Sequence, residues 1–320
     1  MDSNLPSIAI VGAGAVGCYY GGLFAKAGFP VIMIARDNQI ESLTNHGVGI
    51  QWGERIEYFP VNASSNYEVL SNASYVLIAV KTQGTLQTAS QIAPHLKSNA
   101  IVLSLQNGLD NAGLLKKHIQ QPCYSALIYA AIAMIDLNLV KHLGGGNLII
   151  GNTIPEQSEQ RLEFLSQLLQ LAQIPTKVSK TIIVEMWHKL IINCVLNGLS
   201  AIAQINYSEL LKSPGMPEVI DLIQQECCQI ALLEGVHLDQ EHIKDLVSKV
   251  PNNWPMQISS TAQDLSKSKA TEIDYLNGAI VAKAKKHGAV VPINEMIYSL
   301  IKMREYQQGT FNPSSLVQLV

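Results

Sequence analysis

The first stretch of the chain constrains its fold more than any other. Residues 7–11 form a short apolar run that leads directly into Gly-x-Gly-x-x-Gly, and a helical pattern follows as far as Gly28. A strand, a glycine-rich turn and a helix in this order are the dinucleotide-binding fingerprint. Its glycines permit the tight turn, the approach of a pyrophosphate and the close packing of the helix. The predicted cofactor-binding residues of this turn are Gly12, Ala13, Gly14, Ala15, Val16 and Gly17.

The residues after the second predicted strand bear on which dinucleotide binds. That strand covers residues 31–35, and Arg36 and Asp37 follow it. A guanidinium here suits the 2′-phosphate of NADP, whereas NAD-binding proteins usually place Asp or Glu here for the ribose hydroxyls. Asp37 leaves two alternatives open, because it is either the cap of a helix over residues 38–45 or the ribose acceptor itself. We expect NADP (NADPH), with Arg36 as a ligand of the cofactor.

Composition excludes several classes of protein. Hydrophobic residues make up 48% and charged residues 15% of the 320-residue chain, which is long enough for two packed domains. The net charge is −3 without a basic run, so we expect no nucleic-acid partner. The five cysteines form no C-x-x-C pair and the histidines lack metal-ligand spacing, so we expect reduced core thiols and no metal.

The apolar stretches of the chain are short or interrupted. No basic segment precedes the first apolar run, and glycines interrupt that run, which argues against a signal peptide. Neither of the longest uncharged apolar stretches, residues 124–135 and 190–205, offers about 20 continuous apolar residues. We expect a cytoplasmic protein with no membrane partner.

Strand and helix patterns alternate through the first half of the chain. Apolar runs at residues 75–80 and 100–105 are typical of strands covered on both faces, and a helical pattern separates them. This alternation predicts an α/β fold with a Rossmann-type, doubly wound parallel sheet. Beyond Ser179 long helical patterns dominate and indicate an all-α C-terminal domain. The predicted parts are an NADP-binding domain over residues 1–178, a helical substrate domain over 179–308 and a flexible tail over 309–320.

Residues 144–146 form a glycine triplet with two interpretations. A phosphate-binding loop would need a helix directly after it, and none is predicted there. A glycine-rich hairpin turn between strands at residues 124–135 and 147–151 explains the triplet more simply, and this is our prediction.

Polar residues follow three of the predicted strands. Arg36, Lys81 and Asn107 each come just past a strand end, and ligands of open α/β sheets bind beyond the carboxyl ends of the strands. Taken singly, Lys81 is explained as a solvated loop lysine and Asn107 as part of an Asn-Gly turn. Together they favour a role in binding cofactor or substrate.

A polar stripe runs along the helix predicted over residues 180–205. Lys189, Asn193 and Asn197 are spaced four residues apart, while the other faces of the helix are apolar. A buried lysine with two carboxamides needs hydrogen-bond partners, or it costs several kcal/mol. The partners are either neighbouring helices or a small polar substrate, and the pattern supports both equally.

Two later segments are also rich in polar side chains. One contains Ser260, and the other spans residues 271–278, where a helix is predicted to start at Glu272. In the simplest interpretation, Glu272 and Asp274 favour the dipole of that helix. The spacing does not show whether Glu272 meets Lys189.

In this order, the clusters resemble the ketopantoate reductase family, also called 2-dehydropantoate 2-reductases. The lysine helix followed by the Glu-Ile-Asp segment is the specific part of the resemblance, whereas the glycine motif occurs in many families. The segments that match the family lie at residues 12–17, 80–81, 106–108, 187–197, 259–260 and 271–278.

The resemblance implies a Rossmann domain followed by an all-helical domain, and an enzyme that reduces 2-dehydropantoate to (R)-pantoate with NADPH. This step leads towards pantothenate and coenzyme A. It also implies Lys189 as the proton donor and Glu272 as its carboxylate partner. An ammonium suits that role, because it stabilises the charge that grows on the carbonyl oxygen and then supplies the proton. Substrate contacts are implied for Asn193, Asn197, Ser260 and Asn107, and cofactor contacts for Lys81, Asn107 and Glu272.

Two other functions stay open on the sequence. A reductase of another branched 2-keto or 2-hydroxy acid would share the scaffold, because a fold does not set the substrate. A non-catalytic NADP-binding sensor would bind cofactor but would not need the polar stripe. The oligomeric state is open as well, with a homodimer as the alternative to a monomer.

Overall fold

The computed structural model describes residues 5–313, which form two compact units that divide after Ile182. The boundary predicted near Ser179 lies at the last residue of the final strand of the first unit. This unit contains a ten-stranded sheet. Its strands are β1 (Ile8–Val11), β2 (Val31–Ile34), β3 (Val48–Trp52), β4 (Arg55–Phe59), β5 (Asn62–Ser64), β6 (Tyr75–Ile78), β7 (Ile101–Ser104), β8 (Cys123–Met134), β9 (Leu139–Gly151) and β10 (Thr176–Ser179).

The sheet has the parallel core that the alternating patterns predict, so the α/β fold class is confirmed. Strands β5, β2, β1, β6, β7 and β8 are neighbours in that order, and all of these pairs are parallel. Beyond them, β9 runs antiparallel to β8, and β3 with its hairpin partner β4 extends the sheet. β10 pairs with the second half of β9.

Helices cover both faces of the parallel core, and β1 shows why this strand is apolar throughout. Ile8 and Ile10 pack into one apolar cluster, while Ala9 and Val11 pack into a second cluster that does not share these residues. Since successive side chains of a strand point to opposite faces, the two clusters lie on opposite sides of the sheet. The helices of this unit are α1 (Ala15–Lys26), α2 (Asp37–His46), α3 (Thr85–Ile92), α4 (Asn111–Lys116) and α5 (Glu159–Leu171).

The predicted hairpin turn at the glycine triplet is wrong. The triplet lies inside β9, opposite a stretch of β8 where the pairing register shifts, and residues 135–138 make the turn instead. Gly145 has a φ of +72°, and a Cβ on it would lie 2.1 Å from the carbonyl oxygen of Tyr129. Glycine is therefore needed here for the close approach of two strands at a bulge, not for chain reversal.

The regular elements of the second unit, over the residues that the structure describes, are all helices. The helix predicted to start at Glu272 is corrected, because it begins only at Asn277, and Ile273–Tyr275 form a single 3₁₀ turn before it. The helices are α6 (Ile182–Ala203), which starts at the last residue of the first unit, α7 (Tyr207–Lys212), α8 (Met216–Leu233), α9 (Gln240–Asn253), α10 (Ser260–Ser266), α11 (Asn277–Lys286) and α12 (Pro292–Gln307).

By length and composition alone, α6 is apolar enough to cross a membrane. More than half of its most apolar window is buried inside the protein, and core helices commonly have this character. The helix also carries the predicted polar stripe, which gives it a polar side among these buried residues.

The first residues of the predicted tail pack back onto α12. The backbone N–H of Thr310 donates to the carbonyl oxygen of Glu305 at 2.9 Å. The centroid of the Phe311 ring lies 4.9 Å from Lys302 Nζ. The rest of that tail, residues 314–320, lies outside the described residues.

Candidate active site

The glycine-rich turn between β1 and α1 is shaped for an anion. Gly12 has a φ of +108°, and a Cβ on Gly17 would lie 1.9 Å from the Gly12 carbonyl oxygen, so neither position accepts a side chain. Around Gly14, by contrast, a Cβ would meet no described atom within 4 Å. Gly14 is also the N-cap of α1, and as a glycine it provides no side-chain cap hydrogen bond. The open space beside Gly14 lies at the N-terminus of α1, and this cradle fits the phosphates of a dinucleotide.

Arg36 and Asp37 lie exposed just past the end of β2. The backbone N–H of Gly12 donates to the Ile34 carbonyl oxygen at 2.9 Å, so the β2 end lies directly beside the cradle. The alternative in which Asp37 caps the following helix is wrong, because Asp37 is the first residue of α2 and Arg36 occupies the N-cap. Both side chains remain candidates for the ribose and its substituent.

Gln39 on α2 is a residue that the sequence patterns missed. Its Nε2 donates to the Ala13 carbonyl oxygen at 2.9 Å and to the Leu137 carbonyl oxygen at 2.7 Å. It thus fixes the glycine turn to the β8–β9 turn. A lone glutamine in an exposed helix gives no signal of this in the sequence.

Lys81 and Asn107 are held by a buried polar network between the ends of β6 and β7. Gln106 Nε2 donates to the Val80 carbonyl oxygen at 3.0 Å and to Thr85 Oγ1 at 2.7 Å. Thr82 Oγ1 donates to the Asn107 carbonyl oxygen at 2.9 Å. Because these bonds link both strand ends, the exposed Lys81 and the partly buried Asn107 sit on a rigid edge.

The four groups of the first unit share one edge of the sheet. Asn107, Lys81, the glycine cradle and Arg36 follow β7, β6, β1 and β2, which are consecutive neighbours. Three steps between strands span about 14 Å, a length suited to an extended dinucleotide. The sequence prediction that these residues gather at the carboxyl edge is thus matched by the topology.

In the second unit, Lys189 is partly buried on α6. Burial lowers the pKa of its amine to about 8, and the charge of Glu272 opposes this by raising it. The structure therefore brings Glu272 into electrostatic range of Lys189, which spacing alone did not show. An amine with this pKa is charged at neutral pH yet gives up its proton more readily than an ordinary lysine.

The other two residues of the polar stripe differ in their surroundings. Asn197 is buried, and its Oδ1 accepts a hydrogen bond from the Tyr207 hydroxyl at 3.3 Å. This oxygen therefore has its hydrogen-bond partner on a neighbouring helix, α7, which is one of the two alternatives for the stripe. Asn193 is partly buried one turn closer to Lys189.

Ser259 and Ser260 also have separate places. The buried Ser259 is the N-cap of α10, and its hydroxyl donates to the Asn197 carbonyl oxygen at 3.2 Å. Ser260, the predicted substrate ligand, is the exposed first residue of that helix. The bond from Ser259 therefore fixes the start of α10 beside the stripe.

A nucleotide cradle at the edge of a parallel sheet, together with a lysine–carboxylate pair in a helical unit, defines an NAD(P)-dependent oxidoreductase of two units. Residues 8–154 match the family model of ketopantoate reductase PanE/ApbA, and residues 181–305 match the model of its C-terminal region. The chain belongs to the ketopantoate reductase family, as the sequence motifs indicated.

Individual relatives agree with this family. The 2-dehydropantoate 2-reductase of Pyrococcus abyssi is 28% identical over 302 residues, which cover 94% of this chain and 99% of that protein. The crystal structure of a PanE/ApbA family ketopantoate reductase from Ralstonia eutropha JMP134 has a TM-score of 0.87 and 37% identity, covering 95% of this chain and 99% of that one. A complex of D-mandelate dehydrogenase with NADH has a TM-score of 0.85 and 25% identity, covering 94% and 99%.

Proposed function

We propose that this protein reduces the ketone of 2-dehydropantoate to (R)-pantoate with NADPH. The observation that carries the proposal is Lys189, a partly buried amine with a pKa of about 8 that is under the influence of the Glu272 carboxylate. Membership of the family and the relatives named 2-dehydropantoate 2-reductase support it.

Lys189 is the acid of the proposed reaction. Bound NADPH would supply a hydride to the carbonyl carbon. The Lys189 ammonium stabilises the negative charge that develops on the carbonyl oxygen, and a proton then passes from Nζ to that oxygen. With a pKa of about 8, roughly nine-tenths of the amine is protonated at pH 7. Glu272 keeps that fraction high, because its charge opposes the effect of burial.

Neighbouring polar side chains would orient the small 2-keto acid. The proposed ligands are Asn193 and Ser260, with Asn197 contributing the part of its amide that Tyr207 does not engage. Lys81 and Asn107 would hold the nicotinamide end of the cofactor at the sheet edge. Orientation of this kind contributes to the rate, because it brings the reacting atoms into line before hydride transfer.

Arg36 supports NADPH as the cofactor, since its exposed guanidinium suits a 2′-phosphate. The structural likeness to D-mandelate dehydrogenase, solved with NADH, favours a second candidate. In that case the chain reduces another 2-keto acid on the same scaffold, and Asp37 accepts the ribose hydroxyls of NADH.

The test is oxidation of NADPH and of NADH, followed by absorbance, with a panel of 2-keto acids. The panel contains 2-dehydropantoate, 2-ketoisovalerate and phenylglyoxylate, the keto acid of mandelate. The proposal expects the highest kcat/KM for 2-dehydropantoate with NADPH. A preference for phenylglyoxylate or for NADH would favour the second candidate, and tight NADPH binding without turnover would indicate a sensor.

A further inference from the structure

The short segment that carries Glu272 is anchored on both sides by buried charges. On one side, the backbone N–H and the hydroxyl of Thr271 both donate to Glu305 Oε1, each at 2.7 Å. On the other side, Lys302 Nζ lies 3.0 Å from Asp274 Oδ2. Lys302 also lies 2.7 Å from Glu305 Oε2, so both anchors belong to one network. All four of these partner residues are buried, whereas Glu272 between them is only partly buried.

One face of α12 supplies these anchors. Tyr298, Lys302 and Glu305 are four and three residues apart, which places them on the same side of the helix. The Tyr298 hydroxyl donates to the second carboxylate oxygen of Asp274 at 2.8 Å. We call Tyr298, Lys302 and Glu305 the α12 clamp.

Stability of the fold alone does not account for the clamp. Two carboxylates and one ammonium have been taken out of water, and the desolvation of such groups offsets much of their attraction. Well-packed apolar residues of similar volume often stabilise a fold as well or better. What charged and hydrogen-bonded partners add is a defined geometry at the backbone of Thr271 and at the side chain of Asp274.

We propose that the α12 clamp is a set of positioning residues that hold Glu272 within range of the Lys189 amine. This inference rests on the proposed role of Lys189 as the acid. The clamp residues touch Thr271 and Asp274, which flank Glu272, and so they act through the backbone of that segment.

The pKa of Lys189 reports the position of Glu272. Burial lowers that pKa and Glu272 raises it, so a carboxylate that moves away leaves a lower value. Other ionisable groups near these elements are Glu185, one helical turn before Lys189 on α6, His188 with its neighbour His242, and Asp274, which is paired with Lys302. A clean test therefore leaves every charge in place and removes only hydrogen bonds of the clamp.

Tyr298→Phe meets this condition, because it removes one hydroxyl and no charge. Thr271→Val also removes one hydroxyl and no charge, but the lost hydroxyl accepts from the Ile273 backbone N–H at 3.2 Å as well, so Tyr298→Phe is the stricter variant. Thr271→Ser is the matched control, since it keeps the hydroxyl that donates to Glu305. Lys302 itself is left unchanged, because its loss would act on Lys189 through charge and would leave two buried carboxylates unpaired. Ile223→Val, in the buried part of α8, controls for a general loss of stability.

The primary readout is a pH titration of the lysine ε-carbons by NMR in the full-length protein, with the Lys189 signal identified by its absence in Lys189→Ala. We expect the pKa of Lys189 to fall by about half a unit or more in Thr271→Val and Tyr298→Phe. We expect no change in Thr271→Ser and Ile223→Val. The high-pH limb of kcat for keto-acid reduction should shift by the same amount.

An unchanged pKa of Lys189 in both hydroxyl variants would overturn the inference, as would an equal fall in Ile223→Val. Because the titration needs no substrate, its result does not depend on turnover. If the wild-type protein reduces no 2-keto acid, the proposed function fails, while the titration still decides whether the clamp positions Glu272.

Discussion

Replacing Glu272 with glutamine tests the lysine–carboxylate pair directly. The change keeps the shape of the side chain but removes the charge that raises the pKa of Lys189. An opposite charge at close range changes a pKa by about 1–3 units. Taking about one unit, because Glu272 is only partly buried, the pKa of Lys189 falls from about 8 to roughly 7.

The expected effect on rate follows from the protonated fraction of the amine. At pH 8 this fraction falls from about one half to about one tenth, so kcat for reduction falls roughly 5-fold. At pH 7 the fall is about 2-fold, and at pH 6 it is close to nothing, because the amine is protonated in both proteins. The loss of activity thus grows with pH, as it must when the acid is a lysine whose pKa has been lowered further.

The assay is kcat measured from about pH 6 to about pH 9 with saturating NADPH and 2-dehydropantoate, so that altered cofactor binding does not enter. Glu272→Asp is the control, because it keeps the charge and should retain most of the wild-type pH profile. A high-pH limb that stays in place in Glu272→Gln would refute the reasoning. The same fold loss at every pH would indicate a different role for this carboxylate.

Three further substitutions probe the remaining groups. Lys189→Ala should lower kcat by about 10²-fold or more, and wild-type turnover would contradict its role as the acid. Arg36→Ala should raise KM for NADPH far more than for NADH, and an equal effect on both would remove the 2′-phosphate contact. Gly14→Ala should fold normally, because its Cβ meets no described atom within 4 Å. It should still weaken NADPH binding in a fluorescence titration, whereas Gly113→Ala, also in open space, should not; equal affinities would contradict the cradle.

The parallel core of the fold could be predicted because its signals are local. The β1 residues are apolar throughout since both faces of the strand are covered, and Gly17 is required by its close approach to the Gly12 carbonyl oxygen within the same turn. Lys81 and Asn107 could be placed at one sheet edge from their positions after strands alone.

The errors concern residues whose role depends on distant parts of the chain. Gly145 resembles a turn residue, yet it is required by the carbonyl of Tyr129 on the neighbouring strand. Asp274 resembles a residue that favours a helix dipole, yet it pairs with Lys302, which is 28 residues away. Neither partner can be identified from a local pattern, because the pairing arises only when the elements pack.

The effect of Glu272 on the pKa of Lys189 could not be predicted from the sequence for the same reason. The two residues lie on different elements, and only the packed helical unit brings their charges into range. Glu272 also follows no helical period, since it precedes a 3₁₀ turn that ends before α11 begins. The sequence predicted Glu272 at the start of a helix. It gave no sign that the neighbouring Thr271 is held by hydrogen bonds to Glu305.

The late position of α12 in the chain has a consequence during translation. A ribosome releases α6, with Lys189, long before it releases the helix that carries Glu305. By then the nucleotide-binding unit, which ends at Ile182, has all of its strands and is free to fold. Until α12 emerges, the backbone at Thr271 lacks the hydrogen bonds that Glu305 accepts from it. The glycine cradle between β1 and α1 is therefore complete in a nascent chain before the Glu305 carboxylate that accepts from Thr271 has been added.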